Sequence, residues 1–480
     1  MYDAVIIGAG VVGAMTARAL AKYDLKICVL ERDNDVATGA TKANSAIVHA
    51  GFDARDGSLK ARLNVRGSEM MENIAKDLGV KYRRNGSLVV GFDGDDRKTI
   101  ETLYERGVKN GVKGLKIIDK RELEEKEPHV SENALCALYA PSGAIICPYE
   151  LTVAAIGNAM DNGAELRLNF EVMEITKTDR GFKICSEDDS VESRFVINAA
   201  GVYSDAVAAM VGDRSFRITP RRGEYILLDK ECGGLVSHTI FATPTKLGKG
   251  ILVSPTVDGN LLTGPTAHDI NDKEDKSTTG EGFAQIMRGA SRSVDGIAYG
   301  KSITSFCGLR AVGDTGDFII NSPIGGFVNA AGIESPGLSA SPAIAEYIVQ
   351  ILADQGLAMN PRSGCKATRK PMHYFRDASI REKNEIIKKD KSFGRIVCRC
   401  ESVTEGEILE AIRTNPKPTD LDGVKRRTRA QMGRCQGGFC SPYIMDLLHS
   451  ELNIPYEKIT KSGGESFIVF GKTKGDGHND

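Results

Sequence analysis

Tyr2-Asp3-Ala4-Val5-Ile6-Ile7-Gly8-Ala9-Gly10-Val11-Val12-Gly13 opens the chain, and its reading decides the fold. The β-branched run through Ile7 predicts a short buried strand that Gly8 ends. A helical run from Ala14 to Lys22 follows, then a second strand from Lys26 to Leu30 that leads into Glu31. In Gly8-x-Gly10-x-x-Gly13, Gly8 permits a tight turn, Gly10 lets the main chain approach a pyrophosphate, and Gly13 lets helix and strand pack closely. The helix start offers free N–H groups and the positive end of its dipole to that pyrophosphate. Glu31 is placed for a ribose hydroxyl. Three glycines alone are weak ground; strand, helix, strand and acid in the required order predict a dinucleotide site.

At 480 residues the chain exceeds one compact core, and about two to four domains are expected. Its 63 Lys and Arg against 64 Asp and Glu leave a net charge of −1, so no basic field points to nucleic acid. The local cluster Lys425-Arg426-Arg427 is expected to be a solvated face or a partner patch. No stretch reaches the roughly 18 apolar residues that a spanning helix needs. The N-terminus enters a strand without the features of a signal peptide, which favours the cytoplasm; membrane contact would be peripheral and through a partner. Of 11 cysteines, Cys28, Cys136, Cys147, Cys185, Cys232, Cys307 and Cys365 are scattered and are expected to be buried small hydrophobes.

The other four cysteines form two close pairs, Cys398-x-Cys400 and Cys435-x-x-x-x-Cys440. Thiolates so arranged clamp a metal or an iron–sulfur cluster. A C-x-C bite is tight for structural zinc, whose pairs are usually C-x₂₋₄-C, so a cluster ranks ahead of zinc; zinc and an unmetallated state stay open. Glycines 433, 437 and 438 let main-chain N–H groups point at the sulfurs. Helices are predicted over Glu405–Arg413 and from about Pro442 to Ser450.

Several separated blocks resemble the D-amino-acid-oxidase-like FAD family, which includes glycine oxidases and glycerol-3-phosphate-dehydrogenase-like enzymes. After Glu31-Arg32, the polar loop Thr38-Gly-Ala-Thr41-Lys-Ala-Asn44-Ser45-Ala-Ile-Val-His49-Ala-Gly51 is similar to the flavin-contacting segment of that family. Phe170-Glu-Val172 resembles its adenine-side strand, and Val196-Ile-Asn-Ala-Ala200-Gly201 its second nucleotide-side strand and turn. Asn329-Ala-Ala-Gly332-Ile-Glu-Ser-Pro-Gly337-Leu338-Ser339-Ala340, entering a helix expected at Ser341–Leu352, resembles the stretch that closes over the flavin. The resemblance spans about residues 1–360 and implies FAD, with Gly8, Gly10, Gly13, Glu31, Arg32, Thr41, Asn44, Ser45, Val172, Ala200, Gly201, Gly332, Gly337, Leu338 and Ser339 as cofactor-binding residues. The Gly433-Arg-Cys-Gln-Gly-Gly-Phe-Cys440 block resembles the bacterioferritin-associated-ferredoxin-like domain, which implies a 2Fe–2S cluster on Cys398, Cys400, Cys435 and Cys440.

The implied fold class is α/β: a Rossmann-like FAD-binding domain with an inserted α+β substrate domain, plus a small, mainly helical C-terminal iron–sulfur domain. The expected boundaries are 1–80, 145–205 and 300–360 for the FAD domain, and 81–144 and 206–299 for the substrate domain. A linker (361–394), the 2Fe–2S domain (395–450) and a tail (451–480) with a strand-like Phe467–Phe470 complete the chain.

By the same resemblance, Arg310 matches the arginine that binds a substrate's anionic group, for which a guanidinium fork suits carboxylate or phosphate. His49 is the family's base or orienting group, or a site of covalent flavin attachment. Arg222, Glu224 and Tyr225 are further pocket candidates. The implied activity is FAD-dependent oxidation of a small anionic alcohol, first sn-glycerol 3-phosphate to dihydroxyacetone phosphate, with electrons passing through the cluster to a second redox subunit or a quinone. The Asn44-Ser45-x-x-x-His49-Ala50-Gly51 run is also similar to L-2-hydroxyglutarate oxidases, which keeps a 2-hydroxy acid or amino acid open. A third class is an electron-transfer subunit without its own substrate.

Overall fold

The computed structural model describes residues 1–243, 250–372 and 374–471. Residues 472–480 of the expected tail lie outside the described residues.

The opening stretch forms a buried strand, Tyr2–Ile7, and a helix that begins at Val11, directly after Gly10, and runs to Leu20. Tyr2–Ile7 is central in an eight-stranded sheet, parallel to Ile27–Leu30 on one side and to Ser190–Asn198 on the other. Glu165–Arg167 extends it beyond Ile27–Leu30, and Phe327–Ala331 joins the C-terminal half of Ser190–Asn198 in parallel. Parallel central strands buried on both faces need helices over them; the helices Val11–Leu20, Pro148–Asp161 and Gly337–Asp354 supply Leu20, Leu151, Ile156, Ile344 and Ile348 to the core.

A second, nine-stranded sheet carries Ser87–Gly91, Lys116–Asp119 and Cys136–Ala140 together with strands between residues 218 and 313. Its longest pairing is antiparallel, Ile218–Leu228 against Ser302–Gly313. Residues 302–313, expected on the FAD side of a boundary at 300, thus belong to the substrate-side sheet: their main-chain hydrogen bonds all along this pairing go to Ile218–Leu228. The helix Gly280–Ser293 covers that sheet with Ile286 and Ala290.

The segment 361–394 is more than a connector. Arg362 donates to the carbonyls of Ala21 and Leu25, Lys366 N–H to Asn162, and Arg369 Nε to Asp161, so its first part is sewn to the helices of the first domain. It then forms a helix, Ile380–Lys389, started by a capping box of Ser379 and Glu382. The small C-terminal domain packs helices Glu405–Arg413, Leu421–Thr428 and Ser441–Leu452 around Ile408, Leu421, Ile444 and Leu448. Phe467–Phe470 is no strand; Phe467 makes an isolated bridge to Thr460.

The basic cluster is not a solvated face. Arg426 and Arg427 are buried, and both reach Asp35 of the first domain. The Asp35 carboxylate that both reach lies far away in sequence, so the local composition could not reveal it. Five of the seven scattered cysteines are buried, while Cys185 and Cys365 are partly exposed. No helix among the described residues is long and apolar enough to cross a membrane.

Candidate functional site

Between the two sheets lies a cavity of about 490 Å³. Gly8, Gly10 and the start of the first helix floor it, and Tyr225 and Arg310 of the substrate-side sheet line its other end. Gly8 has φ +103°, and a Cβ there would stand 2.5 Å from the Ala199 carbonyl oxygen. A Cβ on Gly13 would stand 2.0 Å from the Gly8 carbonyl oxygen, so Gly13 sits behind the cavity and serves helix–strand contact. Thr41 Oγ1 accepts from Val11 N–H at 3.0 Å, which brings the polar loop onto the helix start.

Glu31 lines the cavity and accepts from Ala9 N–H at 2.7 Å and Asp33 N–H at 3.1 Å. Burial pushes its carboxyl up to about 7 despite those bonds. Arg32 stacks on Tyr203, 4.4 Å from the ring centre, and pairs with Glu274 at 2.8 Å. Glu274 also meets the Tyr203 hydroxyl. Tyr203, Lys273 and Lys276 line this end too. Lys273, Glu274 and Lys276 escaped the sequence reading because they come from the substrate-side insertion, which carries no nucleotide motif; Tyr203 follows the Ala200-Gly201 turn that the reading did name.

Val172, Ala200, Gly201, Gly337 and Leu338 line the cavity. Phe170–Val172, expected as a strand, is instead an irregular segment beyond Glu165–Arg167; Asn169 with φ 54° breaks the strand geometry. The helix expected from Ser341 starts at Gly337. Pro342 lies inside it, and the Leu338 carbonyl that a residue-342 N–H would normally serve accepts from Ser341 Oγ at 2.9 Å. Gly332, with φ +62°, and the fully buried Ser339 stand behind the cavity wall. Ser339 Oγ accepts from His49 N–H at 2.7 Å and so fixes the main chain of His49. The His49 ring stacks on Phe241 at 5.9 Å, and its Nε2 lies 3.3 Å from Ser335 Oγ.

Asn44 braces its own loop, donating to the Thr41 carbonyl at 2.8 Å and accepting from Ala46 N–H at 2.8 Å. Ser45 Oγ lies 3.1 Å from the Tyr225 hydroxyl. The loop rests on Gly308, where a Cβ would stand 1.9 Å from the Ala43 carbonyl oxygen.

Strand alternation sorts the pocket candidates. Arg221, Gly223 and Tyr225 share one face of Ile218–Leu228, opposite Arg310, Gly308 and Phe306. Arg310 lines the cavity, donates from Nη2 to the Thr266 carbonyl at 2.7 Å, and fits because Gly223 has no Cβ, which would approach Nη2 to 2.7 Å. Arg222 and Glu224 point to the other face and do not line the cavity. Arg222 pairs with Asp275 at 3.0 Å. Glu224 is buried and accepts from Thr279 N–H at 2.6 Å, at the start of helix Gly280–Ser293. Their proximity to Tyr225 in sequence is undone by the two-residue period.

In the small domain the four cysteines converge as two pairs, each with one member from each motif. Cys400 Sγ lies 3.6 Å from Cys435 Sγ, and Cys398 pairs with Cys440. The hydrogen bond from Cys440, then N–H groups of Gln431 and Glu401, hold the Cys398 thiol down to about 6, and the same partnership pushes Cys440 up. Although burial acts upward on Cys435, the N–H groups of Phe439, Gly437 and Gly438 and the Cys400 thiol hold it below its ordinary value. Two sulfur pairs ringed by N–H donors fit a two-iron cluster better than one tetrahedral ion, and one pair faces solvent, since Cys400 is exposed.

Comparison with known proteins agrees with both halves. Residues 3–351 match the family described as FAD dependent oxidoreductase, and residues 396–450 match the BFD-like [2Fe-2S] binding domain. A glycerol 3-phosphate dehydrogenase of Caloramator mitchellensis is 47% identical over 478 residues, 99% of this chain and 100% of that one. The mitochondrial L-2-hydroxyglutarate dehydrogenase of Bos taurus is 31% identical over 283 residues, covering 55% of this chain and 61% of that protein. The dithionite-reduced L-α-glycerophosphate oxidase of Mycoplasma pneumoniae with FAD bound superposes with a TM-score of 0.73 at 29% identity, over 77% of this chain and 98% of that one. FAD is thus the cofactor of the large domain, the glycine-lined cavity is shaped for it, and the small domain carries a 2Fe–2S site.

Proposed function

We propose that this chain, which belongs to the FAD dependent oxidoreductase family, oxidises sn-glycerol 3-phosphate to dihydroxyacetone phosphate. The observation that carries the reading is Arg310, a guanidinium lining the cavity opposite the glycine floor. The 47% identity with a glycerol 3-phosphate dehydrogenase supports phosphate as the anion it meets.

Arg310 would bind the phosphate through its fork, held in aim by the Thr266 carbonyl and given room by Gly223. That contact orients the alcohol carbon within the cavity. The His49 imidazole takes the hydroxyl proton as the C–O bond becomes a carbonyl; Ser339 and Phe241 hold it in place. Ser45 and Tyr225 add a hydroxyl pair beside Arg310, and Gly308 leaves room for the loop that carries Ser45. Bound FAD supplies the two-electron acceptor for the hydrogen leaving that carbon, and a 2Fe–2S cluster on Cys398, Cys400, Cys435 and Cys440 supplies one-electron carriage toward a second redox subunit or a quinone.

A second reading is a 2-hydroxy acid, supported by the 31% identity with an L-2-hydroxyglutarate dehydrogenase. Arg310 would then meet a carboxylate. The test is anaerobic addition of glycerol 3-phosphate and of L-2-hydroxyglutarate, separately, to the purified protein. Bleaching of the flavin's visible absorption by glycerol 3-phosphate alone is the expected result. Bleaching by the hydroxy acid alone overturns the substrate. No bleaching by either, with flavin and cluster still reduced by dithionite, makes the chain an electron-accepting subunit or an amino-acid dehydrogenase.

A further inference from the structure

Where the small domain meets the substrate-side sheet, two carboxylates and two guanidinium groups close a ring. Glu401, the residue after Cys400, accepts through Oε2 from Arg376 Nη1 at 2.8 Å and from Arg429 Nε at 3.0 Å. Asp258, on the turn after strand Leu252–Pro255, accepts from the same two arginines: Arg376 Nη2 at 2.9 Å and Arg429 Nη1 at 2.8 Å. Lys230 reaches Glu401 at 2.7 Å, and Lys81 reaches Asp258 at 3.5 Å. The Glu401 and Asp258 side chains are 2% and 3% exposed, and Arg429 is 6% exposed. Arg429 holds φ 68°, a left-handed geometry that costs a non-glycine residue free energy, and it also donates from Nη2 to Asn260 at 3.2 Å and from Nη1 to the Tyr149 hydroxyl at 3.4 Å.

The ring draws on three parts of the chain: the cysteine domain (Glu401, Arg429), the connecting segment (Arg376) and the substrate-side sheet (Asp258). Four cations face three carboxylates, because Asp377 also pairs with Lys81 at 2.7 Å and with Arg376 at 3.3 Å, which leaves an excess of +1. Glu401 N–H also donates to the Cys398 sulfur, so the residue pinned by three cations is one whose main chain touches a cysteine of the cluster site. Buried ionic networks of this kind are weak contributors to net stability but strong constraints on geometry.

We propose that Glu401, Arg429, Arg376 and Asp258 are positioning residues for the iron–sulfur site. The ring fixes the Cys398–Glu401 turn against the substrate-side sheet, and its excess positive charge favours the more negative, reduced cluster. This rests on the reading of the four cysteines as cluster ligands.

The test uses full-length protein carrying both cofactors, reduced stepwise by dithionite with redox mediators, so no substrate is involved. Asp258→Asn, in the substrate-side sheet and away from every cysteine of the site, removes a negative charge and should raise the midpoint potential of the cluster. Arg376→Met removes a positive charge and should lower it. Both should alter the EPR spectrum of the reduced cluster and leave FAD content unchanged. Shifts of opposite sign separate the ring's field from simple loosening, which would move both variants the same way. Unchanged potential and spectrum in both variants, or shifts of one sign, would overturn the proposal. Wild-type protein that binds no iron would overturn the ligand reading itself, and the ring's role with it.

Discussion

The Asp35 carboxylate and the Arg427 guanidinium meet end-on, Oδ1 to Nη2 and Oδ2 to Nη1, both at 2.8 Å, and both residues are buried. Arg426 Nη2 reaches the same Oδ2 at 2.5 Å. Asp35 follows the nucleotide-side strand Ile27–Leu30, and the arginines sit on helix Leu421–Thr428 of the cysteine domain. Burial alone would raise the Asp35 carboxyl, yet the two guanidiniums hold it far below the usual carboxylate range. Asp35→Ala leaves two buried cations without their carboxylate and should cost about 3–5 kcal/mol. Thermal unfolding together with limited proteolysis of residues 374–395 should show the small domain released first. An unchanged digestion pattern would count against this contact as the anchor.

Gly308 should be intolerant of any side chain. Gly308→Val drives the loop Gly39–Ser45 off the strand, because the added carbon falls within 1.9 Å of the Ala43 carbonyl oxygen. FAD affinity, followed by fluorescence on titrating apoprotein, should fall roughly tenfold or more, about 1.4 kcal/mol.

Arg310→Lys keeps the charge but loses the fork. With glycerol 3-phosphate, kcat/KM should fall about 10- to 100-fold, or about 1.4–2.8 kcal/mol, chiefly through KM. Arg222→Lys, on the opposite face of its strand, should leave KM nearly unchanged. Equal losses in the two variants would contradict the assignment of faces.

Stability should carry a pH signature from Glu150. Burial, and after it the negative charge of Asp258, push its carboxyl up to about 7 despite Arg429, Lys81 and the Tyr374 hydroxyl at 3.1 Å. In the unfolded chain a glutamate ionises near 4.3. Over the interval between, the native state holds a proton that the unfolded state has released, so this group's contribution to stability falls as pH rises from about 4.3 to about 7. Glu150→Gln should flatten that slope and be relatively more stable than wild type above neutrality, measured as melting temperature from pH 5.5 to about 8.5. A slope identical to wild type would show that Glu150 titrates normally.

Cys435→Ser should lower iron content and abolish reduction of the physiological acceptor while FAD content and substrate-driven bleaching persist. Unchanged acceptor reduction would end the relay reading.

Much of this was legible along the chain because it depends on neighbours in sequence. The strand and turn of residues 2–13, the acid at Glu31 and the helix Glu405–Arg413 follow from local sterics, periodicity and caps. The cysteine spacing likewise announced its site before any fold was known. Features that depend on which face a side chain takes were less legible. Arg222 and Glu224 flank the pocket residues in sequence yet face away, and Ser339 acts by pinning the main chain of His49 from outside the cavity.

The sequence by itself determined that the chain carries a dinucleotide cradle and a four-cysteine site, since the Gly8–Gly13 turn and each of the two cysteine motifs are made by residues within a few positions of one another. Tertiary structure alone decided how the two halves are joined. Asp35 meets Arg426 and Arg427, and Asp258 meets Arg376 and Arg429, across more than a hundred positions of chain. A charged side chain reads as solvent-facing until folding brings its counter-charge within hydrogen-bond reach, and no local pattern encodes that meeting.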